Sequence, residues 1–342
     1  MKAVVFDRFG GPEVLEPREL PDPTPRAGEV VVRVRACGIN HLDLWVRDGL
    51  PGLAPEMPHV LGSDVVGEVI AAGAGVTSKH PGERVWVHPT LSCGECPACR
   101  AGDDNLCRHH DVLGRGRNGG YAERVAVPEA NCLPYPGELP WEQAAAMPLV
   151  FLPAWHMLVG RARVCAGEDV LVVGAGSGVG SAAIQVAKLH GARVIATAGS
   201  AAKLERARAL GADATIDHAT QDVAVEARAL TGRKGVEVVC EHVGGRIFEA
   251  GVAALAKNGR LVTCGATIGG KVTLDVNQLF GRHLALYGSW MGTRAESLAV
   301  ITQVRAGRLV PVVDSVLPLA EARRAHERIA AREQFGKLVL VP

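Results

Sequence analysis

Hydrophobic and polar positions along the 342-residue chain follow two different patterns. Up to about Pro140 there are short β-branched runs separated by Gly and Pro, and no long amphipathic helix fits there. From Glu168 onward, apolar strand-like runs alternate with amphipathic helical segments, which is typical of a parallel sheet with helices on both faces. The sequence therefore predicts an α/β protein with an all-β part followed by a doubly wound parallel sheet.

Six strands are predicted in the alternating region, with helices such as Lys203 to Leu210 between them. The strands are Asp169 to Val173, Arg193 to Thr197, Ala214 to Asp217, Val236 to Glu241, Arg260 to Cys264 and Leu284 to Gly288. The last segment predicts helices around Glu296 to Ala306 and Leu319 to Ala331, then a strand from Lys337 to Val341. We therefore predict domains at 1–150 and 151–289, with residues 290–342 returning to the first domain.

Composition and charge narrow the class of protein only slightly. The formal net charge is +1, which gives no sign of nucleic acid or another acidic polymer as a partner. Met1 to Arg8 reaches charged residues before an apolar stretch forms, so we expect no secretory signal and a cytoplasmic location. The most apolar stretch, Gln143 to Gly160, contains Pro148, Pro153 and His156, so it predicts a buried or interdomain helix rather than a membrane span.

Four cysteines lie close together in one short segment with the spacing Cys-x2-Cys-x2-Cys-x7-Cys. This spacing allows four thiolates to surround one zinc ion, and the residues between them are turn formers that cannot build a core of their own. Disulfides or unpaired thiols are the alternative interpretation. Because four protein ligands leave no open position, the predicted zinc is structural. The predicted ligands are Cys93, Cys96, Cys99 and Cys107.

A glycine-rich segment follows the first strand of the alternating region and precedes a helix predicted from Ser181 to His190. Backbone N–H groups and a helix N-terminus in this position can bind the pyrophosphate of a dinucleotide. The segment departs from a strict GxGxxG because Val179 stands at the sixth position from Gly174. The predicted contacts are Gly174, Gly176, Ser177, Gly178, Val179 and Gly180.

The end of the second predicted strand carries no acidic residue to accept hydrogen bonds from a ribose 2′-hydroxyl. Instead, Gly199 is followed by Ser200 and Lys203, which can hold a 2′-phosphate, and His218 lies just after the third strand. This pattern favours NADPH over NADH. In the alternative interpretation Ser200 caps the next helix and Lys203 is a solvated side chain, and both roles can coexist. Gly265, after the fifth strand, completes the predicted cofactor contacts.

The whole chain resembles the medium-chain dehydrogenase/reductase superfamily. This resemblance implies a GroES-like all-β domain with a Rossmann domain, and commonly a homodimer paired through the sixth strand or a homotetramer. The resemblance covers nearly all of the sequence, and it depends on several motifs besides the cysteine and glycine segments. These motifs are Ala36 to Asp43, Leu61 to Gly67, Gly120 to Glu123 and Phe335 to Val339.

Zinc alcohol dehydrogenases of that superfamily bind a second, catalytic zinc through a Cys, a His and another Cys. When this chain is matched to those enzymes motif by motif, the first ligand cysteine falls on Asn40. The ligand histidine and the glutamate that follows it fall on Ser63 and Asp64. The third ligand is expected within Pro148 to Leu152, which contains no thiol. The resemblance therefore implies that the catalytic metal is missing here.

The residues that relay the alcohol proton in the zinc enzymes fall on Leu42 and Trp45, so that relay is missing as well. The motifs Asn40 to Asp43 and Gly62 to Asp64 are similar to the quinone oxidoreductase branch and its enoyl-reductase relatives, most of which lack the cysteine segment. Reducing a quinone or a conjugated carbonyl needs mainly a correctly placed hydride, whereas oxidising an alcohol needs a Lewis acid or base. The sequence thus predicts hydride transfer from NADPH to a small apolar quinone or carbonyl compound.

The predicted catalytic residues are Asn40, His41, Asp43 and Trp45. We expect Asn40, Asp43 and Trp45 to shape the substrate wall, and water or His41 to give the proton. Each has an alternative role. His41 can bind cofactor phosphates or the backbone, Asp43 can be a turn or hydrogen-bonding residue, and Trp45 can be a core residue.

Two other functions stay open at this point. Cys37, His41, His59 or Asp64 can form an unorthodox catalytic metal site, which would make the protein a zinc-dependent alcohol dehydrogenase. Alternatively, the fold serves a non-catalytic NADPH-binding protein, because fold alone does not establish turnover.

Overall fold

A computed structural model describes residues 1–342, and the chain divides into two units. Unit 1 contains Met1–Leu149 and Thr293–Pro342, and unit 2 contains Val150–Gly292. The chain therefore leaves unit 1 once and returns to it for its last segment.

Unit 1 is built mainly from strands joined by short helices and turns. From the start of the chain the strands are β1 (Lys2–Phe6), β2 (Glu16–Glu19), β3 (Glu29–Gly38), β4 (His59–Val60), β5 (Asp64–Ala72), β6 (Arg84–Val87), β7 (Thr90–Leu91), β8 (Asp111–Val112), β9 (Arg124–Pro128) and β10 (Cys132–Pro134). The helices are α1 (His41–Asp48), α2 (Pro97–Ala101), α3 (Trp141–Ala145) and α4 (Pro148–Trp155), which leads into unit 2. Short 3-10 turns lie at Pro12–Val14, Asp104–Leu106 and Glu129–Asn131.

Unit 2 alternates strands and helices as the sequence predicts. Its strands are β11 (Asp169–Val172), β12 (Arg193–Ala198), β13 (Ala214–Asp217), β14 (Val236–Glu241), β15 (Leu255–Thr263) and β16 (Ala285–Gly288). Its helices are α5 (Gly178–Leu189), α6 (Ala201–Ala209), α7 (Val223–Leu230), α8 (Gly245–Ala254) and α9 (Val276–Gly281), preceded by a π-helical turn at His156–Arg161. The returning segment adds α10 (Arg294–Arg305), β17 (Val313–Pro318), a 3-10 turn at Leu319–Glu321, α11 (Ala322–Ala330) and β18 (Lys337–Val341).

The six strands of unit 2 form one parallel sheet in the order β13-β12-β11-β14-β15-β16. This order reverses between β11 and β14, as in a doubly wound dinucleotide-binding sheet. All four residues of β11 are buried, which is expected when helices cover both faces of a parallel sheet. The predicted fold class of this unit is therefore confirmed.

The largest sheet of unit 1 places β3 at its centre. β3 pairs antiparallel with β5, β9 and β18, so the end of the chain joins a strand near its beginning. From Val32 to Ala36 buried residues alternate with the exposed Arg33 and Arg35, because successive side chains of a strand point to opposite faces. This pairing brings Lys337, the first residue of β18, into the same sheet as Gly38, the last residue of β3.

Several predicted boundaries differ from the structure for identifiable reasons. β15 begins at Leu255, five residues before the predicted Arg260, and passes through Asn258 in a left-handed conformation (φ +62°) where the ladder with β14 shifts register. α5 begins at Gly178 rather than at the predicted Ser181, because Ser177 occupies the N-cap position of the helix.

The apolar stretch Gln143 to Gly160 is not one continuous helix. It contains the end of α3, α4 and most of the π-helical turn, and Pro153 lies inside α4. Proline removes one helical hydrogen bond, and Leu149, four residues earlier, has non-helical backbone angles. No helix in residues 1–342 combines the length and the apolar character needed to cross a bilayer.

Candidate functional site

Four cysteine side chains come together in the loop between β7 and β8, which we call the cysteine lobe (residues 93–107). Cys93 precedes α2, Cys96 occupies its N-cap position, Cys99 lies within it and Cys107 follows the next 3-10 turn. Their sulfur atoms all lie within 4.8 Å of one another. The cysteines are free thiols, so the structure brings the four predicted ligands together without a disulfide.

The dimensions of the cysteine lobe fit a tetrahedral zinc ion. Zn–S bonds of about 2.3 Å imply sulfur–sulfur distances of roughly 3.8 Å, and three Sγ–Sγ distances here are 3.5, 3.5 and 4.0 Å. The backbone N–H groups of Cys93 and His109 each donate to Cys107 Sγ at 3.3 Å. The N–H of Cys99 lowers the pKa of the Cys96 thiol to about 6, towards the thiolate form that binds metals. With four protein ligands, such an ion would stabilise the lobe and have no open position for a substrate.

Polar contacts connect the cysteine lobe to α10. Asp104, inside the lobe, accepts a hydrogen bond from the Arg294 backbone N–H at 3.0 Å, and its Oδ2 lies 3.4 Å from His88 Nε2. His88 Nδ1 in turn lies 2.9 Å from the Ser297 hydroxyl, and both residues are fully buried. The lobe therefore contacts the first turn of α10, at the point where the chain has just returned to unit 1.

A buried ammonium group lies where the resemblance places ligands of a catalytic metal. Lys337 Nζ donates to Asn40 Oδ1 at 2.6 Å, to Asp64 Oδ2 at 2.8 Å and to the Ile39 carbonyl at 2.5 Å. Asn40 Nδ2 donates to the same Asp64 oxygen at 3.0 Å, and the Leu149 N–H donates to the other at 2.8 Å. Both ends of the Asn40 amide are therefore used within the protein, and Asp64 is neutralised by a lysine.

Asp43 lies beneath this cluster and is only 1% exposed. Its carboxylate accepts hydrogen bonds from the N–H groups of Asn40 (2.8 Å) and Gly62 (3.2 Å) and from the Tyr121 hydroxyl (3.1 Å). Burial nevertheless raises the pKa of Asp43 to about 6. This geometry favours the alternative role of Asp43, which is to hold the start of α1 and the turn at Gly62 in place.

A row of buried, hydrogen-bonded side chains continues from Asp43. His326 Nε2 lies 3.1 Å from the Tyr121 hydroxyl, and Arg47 Nη1 lies 3.0 Å from His326 Nδ1. A guanidinium group can only donate, so Nδ1 accepts and the imidazole proton sits on Nε2, facing Tyr121. The geometry therefore assigns a neutral His326, and the Tyr121 hydroxyl can accept from it while donating to Asp43.

This environment gives His326 a defined effect on stability. Burial, followed by the Arg47 charge, lowers the pKa of His326 to about 3. The unfolded chain takes up a proton at this histidine near pH 6.5, whereas the folded protein does so only near pH 3. The unfolding free energy therefore falls as the pH drops from 6.5 towards 3, by roughly 1.4 kcal/mol per pH unit, and this loss is absent above pH 6.5.

We expect His326→Gln to flatten this acid-induced loss of stability. Glutamine can donate to Tyr121 and accept from Arg47 without titrating, so between pH 6.5 and 4.5 the native protein should lose roughly 2–3 kcal/mol more than the variant. Asp43, whose raised pKa acts in the opposite direction between about pH 3.8 and 6, is present in both proteins and cancels in the comparison. Chemical denaturation at each pH measures the difference, with the exposed His80→Gln as control. Parallel curves for the native protein and His326→Gln would contradict the assigned histidine state.

His41 and Trp45 remain partly exposed, unlike the other two predicted catalytic residues. They lie one turn apart on α1, and their ring centroids are 6.4 Å apart. Leu42 between them is buried. Of the four predicted catalytic side chains, these two rings are therefore the ones accessible from outside unit 1.

The glycine loop joins β11 to α5 and has the geometry of a phosphate-binding turn. Gly174 has φ +65°, and a Cβ on Gly180 would lie 2.2 Å from the Gly174 carbonyl oxygen, so both positions need glycine. Ser177 caps α5, accepting from the Gly180 N–H at 2.8 Å. N–H groups at the start of a helix of this length, 12 residues, can bind an anion. The remaining predicted contacts, Gly176, Gly178 and Val179, belong to the same loop and first helical turn.

The side chains predicted to hold a 2′-phosphate lie beside this loop. The Cδ atom of Lys203 is 2.8 Å from where a Cβ on Gly176 would lie, so its aliphatic chain passes over the loop. His218 Nδ1 lies 3.0 Å from the Thr197 hydroxyl, and its Nε2 lies 3.1 Å from where a Cβ on Gly199 would be. The structure thus gathers these predicted residues at the end of β12.

Two further residues complete this region. Ser200 occupies the N-cap position of α6, but its hydroxyl makes no capping hydrogen bond, so the alternative role as a side-chain cap is not realised. Asp217 pairs opposite Ala198 in the ladder between β12 and β13, and its carboxylate accepts from the Ala219 N–H at 3.0 Å. Asp217 was not predicted as a site residue, because it lies at the end of the third strand rather than the second.

Polar residues at the end of β14 and directly after it were also missed. Glu241 is fully buried and accepts from two backbone N–H groups of the following turn at 2.5 and 2.6 Å and from the Thr263 hydroxyl at 2.8 Å. His242 Nε2 lies 3.1 Å from the Ser177 hydroxyl, so it supports the glycine loop. Gly265 packs next to it, since a Cβ there would lie 2.9 Å from the His242 carbonyl oxygen. Polar residues at the carboxyl end of a buried parallel strand were the signal that could have identified them.

The alternative metal ligands do not come together. In residues 1–342 the cysteine lobe is the one group of three or more His, Cys, Asp or Glu side chains with closely spaced ligand atoms. His59 Nε2 lies 3.1 Å from the Gly114 carbonyl oxygen, and Asp64 is bonded to an ammonium group. Burial raises the pKa of the Cys37 thiol, which disfavours the metal-binding thiolate. Cys37, His41, His59 and Asp64 therefore do not supply a group of three or more closely spaced metal ligands.

Family models match both parts of the chain. The alcohol dehydrogenase GroES-like domain matches residues 26–137, and the zinc-binding dehydrogenase family matches residues 178–305. The first match lies within unit 1. The second begins at Gly178, near the end of the glycine loop, and covers strands β12 to β16 of the parallel sheet. The predicted pairing of a GroES-like domain with a Rossmann-type sheet is confirmed.

Individual relatives are similar over the full length. The quinone oxidoreductase of Rattus norvegicus is 30% identical over 100% of this chain and 98% of its own, and the NAD-dependent alcohol dehydrogenase of Sulfolobus acidocaldarius is 31% identical over 99% of each. A solved NAD-dependent alcohol dehydrogenase matches with a TM-score of 0.97, 49% identity and 100% coverage of both chains. A thermostable alcohol dehydrogenase from Pyrobaculum aerophilum, solved with cobalt and zinc bound, matches with a TM-score of 0.92 and 36% identity over 100% of this chain and 99% of that one. This chain is an oxidoreductase of the medium-chain dehydrogenase/reductase superfamily.

Proposed function

We propose that this protein uses NADPH to reduce quinones or conjugated carbonyl compounds, without a metal ion at the reacting oxygen. The observation that carries the proposal is the cluster of Asn40, Asp64 and Lys337. In the register of the zinc alcohol dehydrogenases, Asn40 and Ser63 replace metal ligands. Lys337 Nζ contacts both Asn40 and Asp64, and a fixed positive charge in this position disfavours a divalent cation. Ser63 is fully buried, and its hydroxyl has no hydrogen-bond partner.

The reaction type follows from the groups that this site offers. When bound, the nicotinamide cofactor supplies the hydride. An electron-poor quinone or conjugated carbonyl can accept it without a Lewis acid, whereas oxidation of an alcohol needs a group that removes the hydroxyl proton. Leu42, at the first relay position, is apolar and buried, and Trp45, at the second, offers only an indole N–H donor. The chain's own residues therefore suit reduction better than alcohol oxidation.

The cofactor-binding roles belong to unit 2. The N–H groups at the start of α5, ordered by the Ser177 cap, would hold the pyrophosphate. Lys203, Ser200 and His218 would hold the 2′-phosphate, with the lysine ammonium supplying the main charge. His218 would be held for this role by its contact with the Thr197 hydroxyl. These roles explain why an acidic residue is absent from the end of β12.

The substrate-facing roles belong to α1. Lys337 and Asp64 hold the Asn40 amide in one orientation, and Asp43 holds the backbone at Asn40. The half-buried rings of His41 and Trp45 would line an apolar wall. The proton that completes the reduction would come from water or from a ring nitrogen of His41. Zinc, held by the cysteine lobe, would stabilise structure only.

Turnover with both nicotinamides tests this proposal. We expect purified protein to oxidise NADPH in the presence of quinones, enals or enones, and to show no measurable NADP⁺ reduction with simple primary or secondary alcohols.

The second candidate function is that of an alcohol dehydrogenase, which the names of the similar solved structures favour. Alcohol oxidation without reduction of conjugated acceptors would support that candidate, and NADPH binding without turnover across the panel would support a non-catalytic NADPH-binding protein.

Cofactor preference gives a sharper test of the 2′-phosphate site. We expect Lys203→Ala to raise the Kd for NADPH roughly 10- to 100-fold, because a charge-assisted hydrogen bond to phosphate is lost, and to change the Kd for NADH by less than about threefold. Fluorescence titration of both dinucleotides measures this. Lys257→Ala, an exposed lysine after α8, is the matched control and should change neither Kd. An equal loss of affinity for both dinucleotides would show that Lys203 does not contact the 2′-phosphate.

A further inference from the structure

A cavity of about 560 Å³ opens in unit 2, away from the glycine loop. It is lined by the segment 160–163, which precedes β11, by Asn258 and Arg260 of β15, and by His283 and Tyr287 next to and within β16. The glycine loop follows β11, whereas this segment precedes it, so the two regions lie at opposite ends of that strand. The cavity is therefore separate from the predicted dinucleotide site, and we call it the basic pocket.

Positive groups dominate the basic pocket. Three arginines, Arg161, Arg163 and Arg260, line it beside His283, and no carboxylate is among the lining residues. The nearest carboxylate, Glu168, is engaged by Arg260, with Nη1 and Nη2 each 2.8 Å from a different oxygen. This pair is neutral overall, so the charges of Arg161 and Arg163 are not balanced by an acid within the pocket.

Arg260 acts as a support for the pocket rather than as a ligand. Besides Glu168, its Nη2 donates to the Arg163 carbonyl at 3.1 Å and its Nε donates to the Ala162 carbonyl at 2.5 Å. Four of its five N–H groups are thus used within the protein. These bonds fix the backbone of the segment 160–163 and therefore the positions from which Arg161 and Arg163 extend.

Arg161 is oriented but not neutralised. Its Nε donates to the Gly288 carbonyl at 3.0 Å, and its guanidinium carbon lies 5.6 Å from the centre of the Tyr287 ring. These contacts orient the guanidinium and leave its two terminal nitrogens available to donate hydrogen bonds to a ligand's oxygens. The side chains of Arg163 and His283 make no hydrogen bond or ion pair, and both residues are exposed.

The backbone around the basic pocket is also unusual. Arg163 (φ +51°), Asn258 (φ +62°) and His283 (φ +51°) adopt the left-handed conformation, and they are three of the six non-glycine residues that do so in this chain. Each such residue costs about 1 kcal/mol or more, and positions of this kind cluster at binding sites. Here three of them, an arginine, an asparagine and a histidine, line one cavity.

We propose that the basic pocket binds a phosphate monoester, with the phosphate held by Arg161 and Arg163. Terminal guanidinium nitrogens match the oxygens of a phosphate in bidentate geometry, and His283 and Asn258 add further donors. The cavity volume exceeds that of a phosphate ion, which leaves room for a small organic group on the ester oxygen. Ligand binding here requires neither the proposed reaction nor the predicted cofactor.

Isothermal titration calorimetry of the full chain with three probes tests this proposal. The probes are inorganic phosphate, ribose 5-phosphate and ribose, and the variants are Arg163→Gln and the double variant Arg161→Gln/Arg163→Gln. We expect both phosphates to bind, ribose not to bind, and the double variant to raise the Kd of the phosphates at least tenfold. Tighter binding of ribose 5-phosphate than of inorganic phosphate would identify an organic ester as the ligand, and equal binding would identify the free ion.

Control variants separate this pocket from other phosphate sites. Arg308→Gln, an exposed arginine of unit 1 without an ion pair, should leave the affinity unchanged. Lys203→Ala, beside the glycine loop, should also leave it unchanged, because the two regions are separate. Arg163→Gln alone should still weaken binding, and its guanidinium makes no contact whose loss would unfold the protein. Absence of phosphate binding, or binding that the arginine variants do not alter, would overturn the proposal.

Discussion

Lys337→Met is expected to lower the free energy of unfolding by about 3–5 kcal/mol. The Asp64 side chain is fully buried and the Lys337 side chain is 4% exposed, so the substitution leaves a carboxylate without its charge partner and without access to water. It also removes the donors to Asn40 Oδ1 and to the Ile39 carbonyl. Removing one partner of a buried ion pair is far more destabilising than removing a surface pair. Chemical denaturation at neutral pH measures the loss.

Two comparisons establish that the buried charge causes this loss. The double variant Asp64→Asn/Lys337→Met should recover a large part of the stability, because no charge is then left unpaired. Lys188→Met breaks an ion pair with Asp213 at 2.9 Å in which both side chains are more than a third exposed, and it should cost at most about 1 kcal/mol. A loss of under 1 kcal/mol for Lys337→Met would mean that the cluster is not held by charge as we describe.

Cys107→Ser is expected to unfold the cysteine lobe while the rest of the protein stays folded. Structural zinc sites contribute binding energy directly to folding, and the short lobe contains too few buried apolar side chains to fold alone. We expect amide exchange in residues 93–110 to become about 100-fold faster or more. Because Asp104 accepts from the Arg294 N–H, exchange at the start of α10 should rise as well. Hydrogen exchange with mass spectrometry measures both segments.

The matched control for this variant is Cys165→Ser. Cys165 is an exposed free thiol outside the lobe, and its substitution should leave exchange in both segments unchanged. Faster exchange confined to the lobe would show that the hydrogen bond from the Arg294 N–H to Asp104 does not stabilise the start of α10. Unchanged exchange in Cys107→Ser would show that the four thiols do not hold the lobe together.

Local features of the sequence predicted the fold and two parts of the site. The glycine loop and the cysteine lobe are each encoded within about 15 consecutive residues, and their function depends on spacing and turn chemistry that a sequence displays directly. The alternation of β11 to β16 with helices is likewise local, because buried parallel strands are continuous apolar runs.

Contacts between distant segments could not be predicted in the same way. Lys337 is 297 residues from Asn40, and only the pairing of β18 with β3 brings them together. His326 is 205 residues from Tyr121, and its helix gives no sequence signal that a buried histidine will be shared with an arginine and a tyrosine. Asp43 was therefore predicted as a wall residue, although its neighbours make it a buried structural carboxylate.

The same limit explains the role of Asn40. Matching Asn40 to the zinc alcohol dehydrogenases indicated that a metal ligand is missing at this position. It did not indicate which interaction takes the place of the metal. The structure shows an ammonium group in contact with its amide oxygen, which no spacing rule relates to residue 40. The proposal of metal-free reduction rests on this long-range contact together with the identity of the residue.

The zinc content of the purified protein, measured by mass spectrometry for the native chain and for Cys107→Ser, tests the central claim most directly. We predict one zinc per native chain and none in the variant, since the four thiolates are the only site that we assign to a metal. Two zinc ions per native chain, or one that remains in Cys107→Ser, would contradict the claim that the protein transfers hydride without a metal at the reacting oxygen.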